Sequence, residues 1–224
     1  MVEHLGSDTP AASAEPDSAD LGWWQAPTLA GRRVVLERLD HRHALGLLLA
    51  ADSDAIFTHL RFPRPQTLSD ADQLVSQAEA DLLAGTAVTW AQVVDGQVAG
   101  VTSYYDLSPR GLSLAIGSTW LGTRWQRSGI NREAKLLLLE RAFDTLGCVR
   151  VVWHTDERNR ASREAIAALG VTSEGLLRKH KRRRDGTWRT TAQFSMTDDD
   201  WPAARRSLQS KTDRPRTVPE PGRH

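Results

Sequence analysis

Apolar residues along this chain follow two different spacings, which predict its strands and its helices. Seven short runs are rich in apolar and β-branched residues, as is typical of buried or half-buried strands. Two of these runs flank Asp95-Gly96, a dipeptide that favours a tight hairpin turn. The predicted strands cover residues 33–39, 86–94, 97–105, 112–121, 149–154, 172–181 and 187–196.

Between these runs, apolar residues recur three and four positions apart, the spacing of one face of a helix. Asp40 and Asn159 stand where a side chain can cap a helix, and Gly147 and Gly170 follow helical runs as stop signals. The predicted helices cover about 41–49, 69–83, 131–146, 160–169 and 198–208. The resulting order, β-α-α-β-β-β-α-β-α-β-β, predicts an α/β fold, a mixed sheet with helices on both faces.

The two ends of the chain lack both spacings. Residues 1–25 are rich in Ser, Ala, Asp and Pro, and residues 211–224 contain prolines at intervals that disfavour helix and strand alike. We therefore predict a disordered N-terminal segment and a disordered C-terminal tail. Between them, residues 28–208 are predicted to form one domain, which is long enough to bury a substantial core.

Charge and cysteine content narrow the class of protein. The 224 residues carry 29 basic and 28 acidic side chains, a formal net charge of +1, which does not favour a nucleic-acid partner. Cys148 is the single cysteine, so an internal disulfide framework and a cysteine-based metal cluster are excluded, and its apolar neighbours predict a buried thiol. Because the sequence has no apolar run of membrane-spanning length and no basic, apolar leader, we expect a cytoplasmic protein without a metal ion.

The most informative turn lies between a predicted strand and the helix from Asn131. The first amides of a helix have no partner inside the helix, and the helix dipole favours negative charge there. The turn is therefore a candidate phosphate or pyrophosphate site. A glycine before a helix is also common in plain turns, so the spacing alone leaves both interpretations open. The turn reads Gln126-Arg127-Ser128-Gly129-Ile130-Asn131.

The order of elements, together with these residues, resembles the GNAT superfamily of acyl-CoA-dependent N-acetyltransferases. More narrowly, it resembles the RimJ/RimL-like branch, which contains the ribosomal-protein N-terminal acetyltransferases. The likeness covers about residues 28–208, and the turn matches the family motif Gln/Arg-x-x-Gly-x-Gly/Ala with Asn131 at the last position. Further matches to the branch are Asn131, Glu133, Ala134 and Lys135, then Thr155, Asp156, Asn159 and Ser162, then Leu169-Gly170, Asp185-Gly186 and Asp199-Asp200-Trp201-Pro202.

The resemblance implies the GNAT fold, a twisted mixed sheet that splays between two parallel strands, here 112–121 and 149–154, with acetyl-CoA in the opening. Backbone groups of one strand would pair with the pantetheine arm, and the turn would hold the pyrophosphate. Asn159 and Ser162 would face the thioester. The implied cofactor-binding residues are Trp120, Leu121, Gln126, Arg127, Ser128, Gly129, Ile130, Asn131, Asn159 and Ser162.

The resemblance also implies an activity, the transfer of acetyl from acetyl-CoA to a primary amine by direct attack in a ternary complex. The branch favours a protein acceptor, either an N-terminal α-amine or a lysine. A small-molecule amine is one alternative, and a non-catalytic acyl-CoA-binding or interaction module is another. Members of the family are often dimers, so a homodimer is expected by analogy.

Candidate acid–base residues are few. Relatives commonly carry Glu-Ile-Gly on the strand before the turn, whereas this chain has Ala115-Ile116-Gly117, so the expected carboxylate is absent. His154 ends a strand that lines the predicted opening, and its unperturbed pKa makes it a candidate base. Ser162 is a candidate acid. Each residue also has a structural explanation, as does Glu133, whose place in a first helical turn is favoured by the dipole.

Aromatic and basic residues near the predicted opening leave several alternatives. Tyr104 and Tyr105 are adjacent on a strand, so one should face the core and the other the opposite side. The basic run Arg178–Arg184 fits a solvated strand, recruitment of an acidic acceptor, or contact with the CoA 3′-phosphate or a nucleic acid. Among the tryptophans, the predicted core residues are Trp90, Trp120 and Trp153, and Trp125 is predicted at the pocket mouth.

Overall fold

The computed structural model describes residues 20–213, which form an eight-stranded sheet covered by helices. The strands are β1 Leu29–Ala30, β2 Val35–Arg38, β3 Ala87–Val94, β4 Gln97–Ser108, β5 Ser113–Leu121, β6 Arg150–Asp156, β7 Thr172–Arg182 and β8 Trp188–Thr197. They lie in the order β1-β2-β3-β4-β5-β6-β8-β7, and neighbours are antiparallel except β5 and β6, which are parallel. The predicted α/β fold with a mixed sheet is confirmed, and each of the seven predicted strands is present.

The helices of the described chain are α1 Ala44–Ala50, α2 Asp54–Phe57, α3 Leu68–Leu83, α4 Ile130–Glu140, α5 Arg160–Ala167 and α6 Trp201–Asp213. Both predicted caps form, since Asp40 accepts the N–H of Arg42 before α1 and Asn159 accepts the N–H of Ser162 at the start of α5. The four-residue α2 escaped prediction because a single turn has no apolar period. None of the helices between residues 20 and 213 is long and apolar enough to cross a membrane.

Helices cover both faces of the sheet and bury two separate apolar cores. Because side chains alternate along a strand, neighbouring residues such as Trp90 and Ala91 belong to different cores. We call the side covered by α4, α5 and α6 the α4 face, and the side covered by α1, α2 and α3 the α1 face. Core residues of the α4 face include Ala134, Leu138, Ile166 and Leu208, and those of the α1 face include Leu47, Phe57, Val75 and Trp120.

Strands β5 and β6 diverge after a short paired segment. They pair at three positions only, Ser113–Arg150, Leu114–Val151 and Ala115–Val152. Further along, the register between β4 and β5 shifts, and Ser118 adopts a left-handed φ of 48°, which bends β5 away from β6. The result is an opening at the carboxyl ends of two parallel strands, as the resemblance implied.

The folded part of the chain extends further at both ends than we predicted. Asp20–Trp24 forms a 3₁₀ turn in which Trp23 is buried, and Arg141 donates to the carbonyls of Gly22 and Gln25 at 2.6 and 3.0 Å. At the other end, α6 continues to Asp213. The predicted disorder is therefore wrong for residues 20–25 and 211–213. Contacts with the rest of the fold order these residues, although their sequence shows little of the spacing typical of a helix or a strand. For residues 1–19 and 214–224, which lie outside the described chain, disorder stays a prediction.

Candidate active site

The turn between β5 and α4 has two residues in the left-handed conformation. Arg127 has a φ of 57° and Gly129 a φ of 92°, and α4 begins directly afterwards. Gln126 folds back so that its Nε2 donates to the carbonyl of Leu121 at 3.0 Å. The Ser128 hydroxyl donates to the carbonyl of Trp125 at 2.5 Å. The chain's own side chains therefore hold the shape of this turn.

The turn presents donors that the described chain does not use. The backbone N–H groups of Arg127, Gly129 and Asn131 have no hydrogen-bond partner among residues 20–213. The guanidinium of Arg33 lies beside them, because a Cβ on Gly129 would come within 3.1 Å of its Nη1. Unpaired amides at a helix N-terminus with a nearby guanidinium form a surface suited to a pyrophosphate.

Glu133, in the first turn of α4, has structural contacts. Its side chain is 3% exposed, and its Oε1 accepts the backbone N–H groups of Arg32 and Arg33 at 2.5 and 3.3 Å. A Cβ on Gly31 would lie 2.6 Å from the same oxygen, so this close approach requires a glycine. Glu133 thus ties α4 to the loop before β2 and points away from the opening.

Two tryptophans line the diverging strands. Trp120 of β5 and Trp153 of β6 are 3% and 2% exposed, and Trp90 is fully buried, so the predicted burial of all three is confirmed. The indole N–H groups of Trp120 and Trp153 have no partner in the described part of the chain. Buried donors are normally satisfied, and a polar substrate arm in the opening could accept from them.

On the α1 face of the opening, Tyr105 of β4 reaches across β5 to His154 of β6. The Tyr105 hydroxyl lies 3.0 Å from His154 Nδ1. The ring passes over Gly117, where a Cβ would come within 2.7 Å of Tyr105 Cε1, so a glycine is required at this crossing. Its neighbour Tyr104 is buried on the α4 face and donates to the carbonyl of Leu138. Tyr105 is therefore the tyrosine that faces the opening.

A series of hydrogen bonds fixes the orientation of His154. Glu174 accepts two bonds from Arg150, at 2.7 and 2.5 Å, and a third from Gln193 Nε2 at 2.9 Å. The Gln193 amide consequently presents its Oε1 to His154 Nε2 at 3.1 Å. Because an amide oxygen only accepts, Nε2 carries the proton and Nδ1 accepts from the Tyr105 hydroxyl. We call Tyr105, His154, Gln193 and Glu174 the acid–base chain.

Burial and neighbouring charges set the protonation states of the residues in the acid–base chain. Burial lowers the pKa of His154, and the charges of Lys181 and His180 lower it further, so the imidazole is neutral near pH 7. Burial raises the pKa of Tyr105, so its phenol stays protonated. Hydrogen bonds from Arg150 hold the pKa of Glu174 down at about 2. A neutral imidazole that accepts from a protonated phenol is able to relay a proton.

Ala115 lies directly beside this pair. It is the cross-strand partner of Tyr105 and is 1% exposed. Cross-strand partners share a face of the sheet, so a carboxylate at position 115 would stand next to the Tyr105 side chain. The absent carboxylate and the tyrosine–histidine pair therefore belong to the same small region.

Asn159 and Ser162 lie at the start of α5, whose Ile166 packs into the core of the α4 face. The Asn159 side chain accepts the N–H of Ser162 at 3.0 Å and so caps the helix. His154 instead points to the α1 face, and no hydrogen bond joins it to Ser162. The two candidate catalytic residues are thus not brought together, and contact of Asn159 and Ser162 with the thioester stays a prediction.

Lys135 is a buried cation on the α4 face of the opening. It is 5% exposed, and its Nζ donates to the hydroxyls of Thr102 and Thr119 at 2.7 and 2.6 Å. Burial lowers the pKa of its ammonium to about 7. No carboxylate of the described chain lies within ion-pair distance of it. Lys135 therefore links α4 to β4 and to β5 at the place where the register between these two strands shifts.

The predicted basic run divides into residues with different surroundings. Arg178 and Lys179 are exposed on β7, the edge strand of the sheet. Lys181 lies over the ring of Tyr105, with Nζ 5.7 Å from the ring centre. Arg183 forms two hydrogen bonds with Asp156, at 2.6 and 3.0 Å, and Arg184 donates to the carbonyl of Phe57 at 3.1 Å. These contacts of Lys181, Arg183 and Arg184 hold the β7–β8 turn against the α1 face of the opening.

Other sequence predictions about side chains can be compared directly with the structure. Cys148 is 2% exposed, and burial raises the pKa of its thiol to about 12, which confirms the predicted buried thiol. Trp125 is partly buried beside the turn, with the Arg124 guanidinium 4.0 Å from its ring centre. Its predicted place at the pocket mouth is compatible with this position.

Comparison with known families agrees with this architecture. The profile of the family described as an acetyltransferase (GNAT) domain matches residues 33–172. The chain belongs to the GNAT acetyltransferases, and within them to the RimJ/RimL-like family. Among proteins with curated descriptions, none gave a significant sequence match.

Solved structures share the fold over most of their length. A GCN5-related N-acetyltransferase from Brucella melitensis is 28% identical with a TM-score of 0.79, over 88% of this chain and 87% of that one. A protein from T. thermophilus, described as a candidate acetyltransferase, is 32% identical with a TM-score of 0.77, over 84% and 98%. Mycobacterium smegmatis RimJ, in complex with CoA-disulfide, is 21% identical with a TM-score of 0.73, over 85% and 96%, which supports the fold alone.

Proposed function

We propose that this acetyltransferase moves the acetyl group of acetyl-CoA to a primary amine of a protein, an N-terminal α-amine or a lysine. The observation that carries the proposal is the Tyr105–His154 pair, which lies at the opening between β5 and β6 and is oriented by Gln193 and Glu174. A proton relay at this point is what amine acetylation requires, because the attacking nitrogen must lose a proton.

The turn from Gln126 to Asn131 is our proposed site for the pyrophosphate of acetyl-CoA. Its support is the set of unpaired amides at the start of α4 and the guanidinium beside Gly129. The pantetheine arm would then run along β5 at Trp120 and Leu121, where the strand has no partner in β6. The Leu121 carbonyl also accepts from Gln126, which ties the turn to this part of β5.

In the proposed reaction, the neutral amine attacks the thioester carbonyl, a C–N bond forms and the C–S bond breaks. The amine nitrogen gives its proton to the Tyr105 oxygen while the Tyr105 hydroxyl gives its own to His154 Nδ1. The CoA thiolate then recovers a proton from His154 through the same hydroxyl. The products are an amide and the thiol of CoA, so atoms and charge balance, and the relay serves as base first and as acid second.

A protein acceptor is favoured by membership of the RimJ/RimL-like family, which is an argument from likeness. The chemistry agrees with an α-amine in particular. A free α-amine titrates near pH 8, so a substantial fraction is neutral near pH 7 and a weak base such as His154 suffices. A lysine amine has a pKa about two units higher, so a smaller fraction is neutral near pH 7 and a stronger base is needed to deprotonate it.

The proposal is tested by release of CoA thiol with acetyl-CoA and three kinds of amine: a lysine-free peptide with a free N-terminus, an N-terminally blocked peptide with one lysine, and a small polyamine. We expect turnover with a peptide, and mass spectrometry of the product to place the acetyl group on the α-amine or the lysine. Preference for the polyamine would replace the protein acceptor by a small one. Binding of acetyl-CoA without thiol release from any amine would favour a non-catalytic module instead.

A further inference from the structure

Three permanent cations surround the acid–base chain on the acceptor side. Lys181 of β7 lies over the Tyr105 ring, and Arg189 of β8 is its cross-strand partner. Arg61, from the loop between α2 and α3, is the third member, since its charge and that of Arg189 oppose the burial that raises the pKa of Tyr105. We call Arg61, Lys181 and Arg189 the cation cluster. Its members come from three separate elements, so their convergence is a property of the fold and not of one basic run.

The cation cluster has little negative charge to balance it. Within residues 20–213, none of its members has a carboxylate oxygen within 4.0 Å. Arg189 donates only to the hydroxyl of Thr191, at 2.9 Å. The nearest acids are Asp106, which is exposed, and Asp156, which is already paired with Arg183.

The cations also disfavour one another. Burial lowers the pKa of Lys181, and the charges of Arg61 and Arg189 lower it further, while Asp106 opposes the shift. Burial and repulsion from Arg61 likewise lower the pKa of Arg189. Lys181 and Arg189 are partly buried and Arg61 is exposed. Holding like charges together where two of them are partly buried costs free energy, and an anion placed among them lowers that cost. The cluster therefore has the character of an anion site beside the reacting centre.

We propose that the cation cluster binds a carboxylate in the first residues of the acceptor, so that the enzyme selects peptides with an acidic residue close to the acetylated amine. This inference rests on the proposed function and narrows its substrate class. The amine would lie at the Tyr105 hydroxyl, and Lys181 Nζ lies 5.7 Å from the centre of the Tyr105 ring. Since an extended chain advances about 3.3 Å per residue, the side chain of the second or third residue reaches this distance.

The basic run offers a matched control. Arg182 is the neighbour of Lys181 on the same strand and carries the same charge. Its guanidinium lies over the exposed ring of Trp188, 5.5 Å from the ring centre, and neighbouring residues of a strand point to opposite faces. A charge change at Arg182 therefore alters the net charge of the protein without altering the cluster.

The test compares three six-residue peptides that begin with serine and differ only at the second residue, which is Glu, Gln or Lys. We expect kcat/KM to fall in that order, with about a 10-fold difference between Glu and Lys at low salt that shrinks as ionic strength rises. Lys181→Glu leaves the two arginines and should abolish most of the preference for Glu over Lys, whereas Arg182→Glu should leave the preference unchanged. The ratio between peptides is taken within each variant, so an effect of Lys181 on His154 cancels.

Equal rates for the three peptides in the unaltered protein, or an undiminished Glu-over-Lys preference in Lys181→Glu, would overturn the inference while leaving amine acetylation intact. Phosphoethanolamine compared with ethanolamine distinguishes the source of the anion, because a larger Lys181-dependent preference there would replace the peptide carboxylate by a small phosphate. If no amine is turned over, the proposed function fails. Anisotropy of labelled peptides with the CoA-bound protein then still tests the charge preference, and equal affinities would overturn it.

Discussion

The two sides of the opening are built in different ways. On the cofactor side, the groups suited to an anion are backbone amides from one six-residue turn, held by Gln126 and Ser128. On the acceptor side, the groups suited to proton transfer are side chains from β4, β6, β7 and β8 that meet only in the folded sheet. A binding site made of neighbouring backbone groups can be recognised from a short sequence motif. A site made of side chains that are far apart in the sequence cannot.

The largest effect is expected from a change to the backbone of the turn. Gly129 has a φ of 92°, and a side chain there would approach Arg33. Gly129→Val should strain the turn and close the anion surface, so we expect acetyl-CoA affinity measured by calorimetry to fall at least about 100-fold.

Gly147→Ala is the control for strain alone. Gly147 also has a left-handed φ, of 66°, but no atom of residues 20–213 lies within 4 Å of a Cβ added there. It should lower thermal stability while leaving acetyl-CoA affinity unchanged. Similar losses of affinity in both variants would mean that the turn acts through the stability of α4 and not as a pyrophosphate site.

On the acceptor side, the expected loss is in turnover and not in cofactor binding. Tyr105→Phe removes the hydroxyl that bonds to His154 and should lower kcat about 100-fold, with the KM for acetyl-CoA within twofold of the original. Tyr104→Phe, one residue away, removes a buried hydrogen bond to the Leu138 carbonyl. It should cost about 1 kcal/mol of stability and leave kcat unchanged. Equal kcat for both variants would remove Tyr105 from the mechanism.

These tyrosines also show how far the sequence could be read. Alternation along a strand predicted that Tyr104 and Tyr105 face opposite sides, and they do. Which of them meets a histidine depended on the crossing over Gly117 and on the place of β6 beside β5, two facts of tertiary structure. The strands, the caps and the turn before α4 were predicted because each depends on neighbours within a few residues; that this turn binds a cofactor stays a prediction.

The other two members of the acid–base chain, Glu174 and Gln193, are not marked by any local sequence pattern. Glu174 and Gln193 are 19 positions apart and lie beyond the segment that matches the family profile. Their roles appear only when β8 lies between β6 and β7, since that order brings Gln193 between His154 and Glu174. The first of them sits in an exposed strand with no apolar period to mark it.

Gln193 allows a smaller and more specific test of the same network. Gln193→Glu would place a carboxylate between His154 Nε2 and Glu174, where the amide now bonds to both. The added negative charge favours the imidazolium and raises the pKa of His154. The relay needs a neutral imidazole, so the rising limb of kcat/KM against pH should move to higher pH, by about one pH unit.

Gln193→Leu provides the comparison, since it removes the hydrogen bond without adding charge. We expect about a 10-fold loss of kcat and no upward shift of the pH limb. An unmoved limb in Gln193→Glu would show that His154 does not take up the proton in the rate-limiting step.

The smallest expected effect concerns Lys135, the buried lysine of α4 that donates to Thr102 of β4 and Thr119 of β5. In the unfolded chain its pKa is about 10.4, and burial lowers it to about 7 in the fold. Above about pH 10.4 the amine is neutral in both states, so it does not lower the free energy of unfolding. As the pH falls from there towards about 7, only the unfolded chain takes up the proton. The free energy of unfolding then decreases by at most about 1.4 kcal/mol per pH unit. Lys135→Met should abolish this dependence, while the hydroxyls of Thr102 and Thr119, 2.9 Å apart, remain bonded to each other.

Urea unfolding of both proteins at pH 7.0, 7.5, 8.0 and 8.5 measures the effect. The raised pKa of the Cys148 thiol adds an opposite slope as the pH rises, because the unfolded thiol ionises first. That slope is common to both proteins, so the difference between their free energies of unfolding isolates Lys135. The variant should be more stable at pH 7 by an amount that shrinks as the pH rises. A constant difference would mean that Lys135 stays charged throughout and that its two threonine partners alone offset its burial.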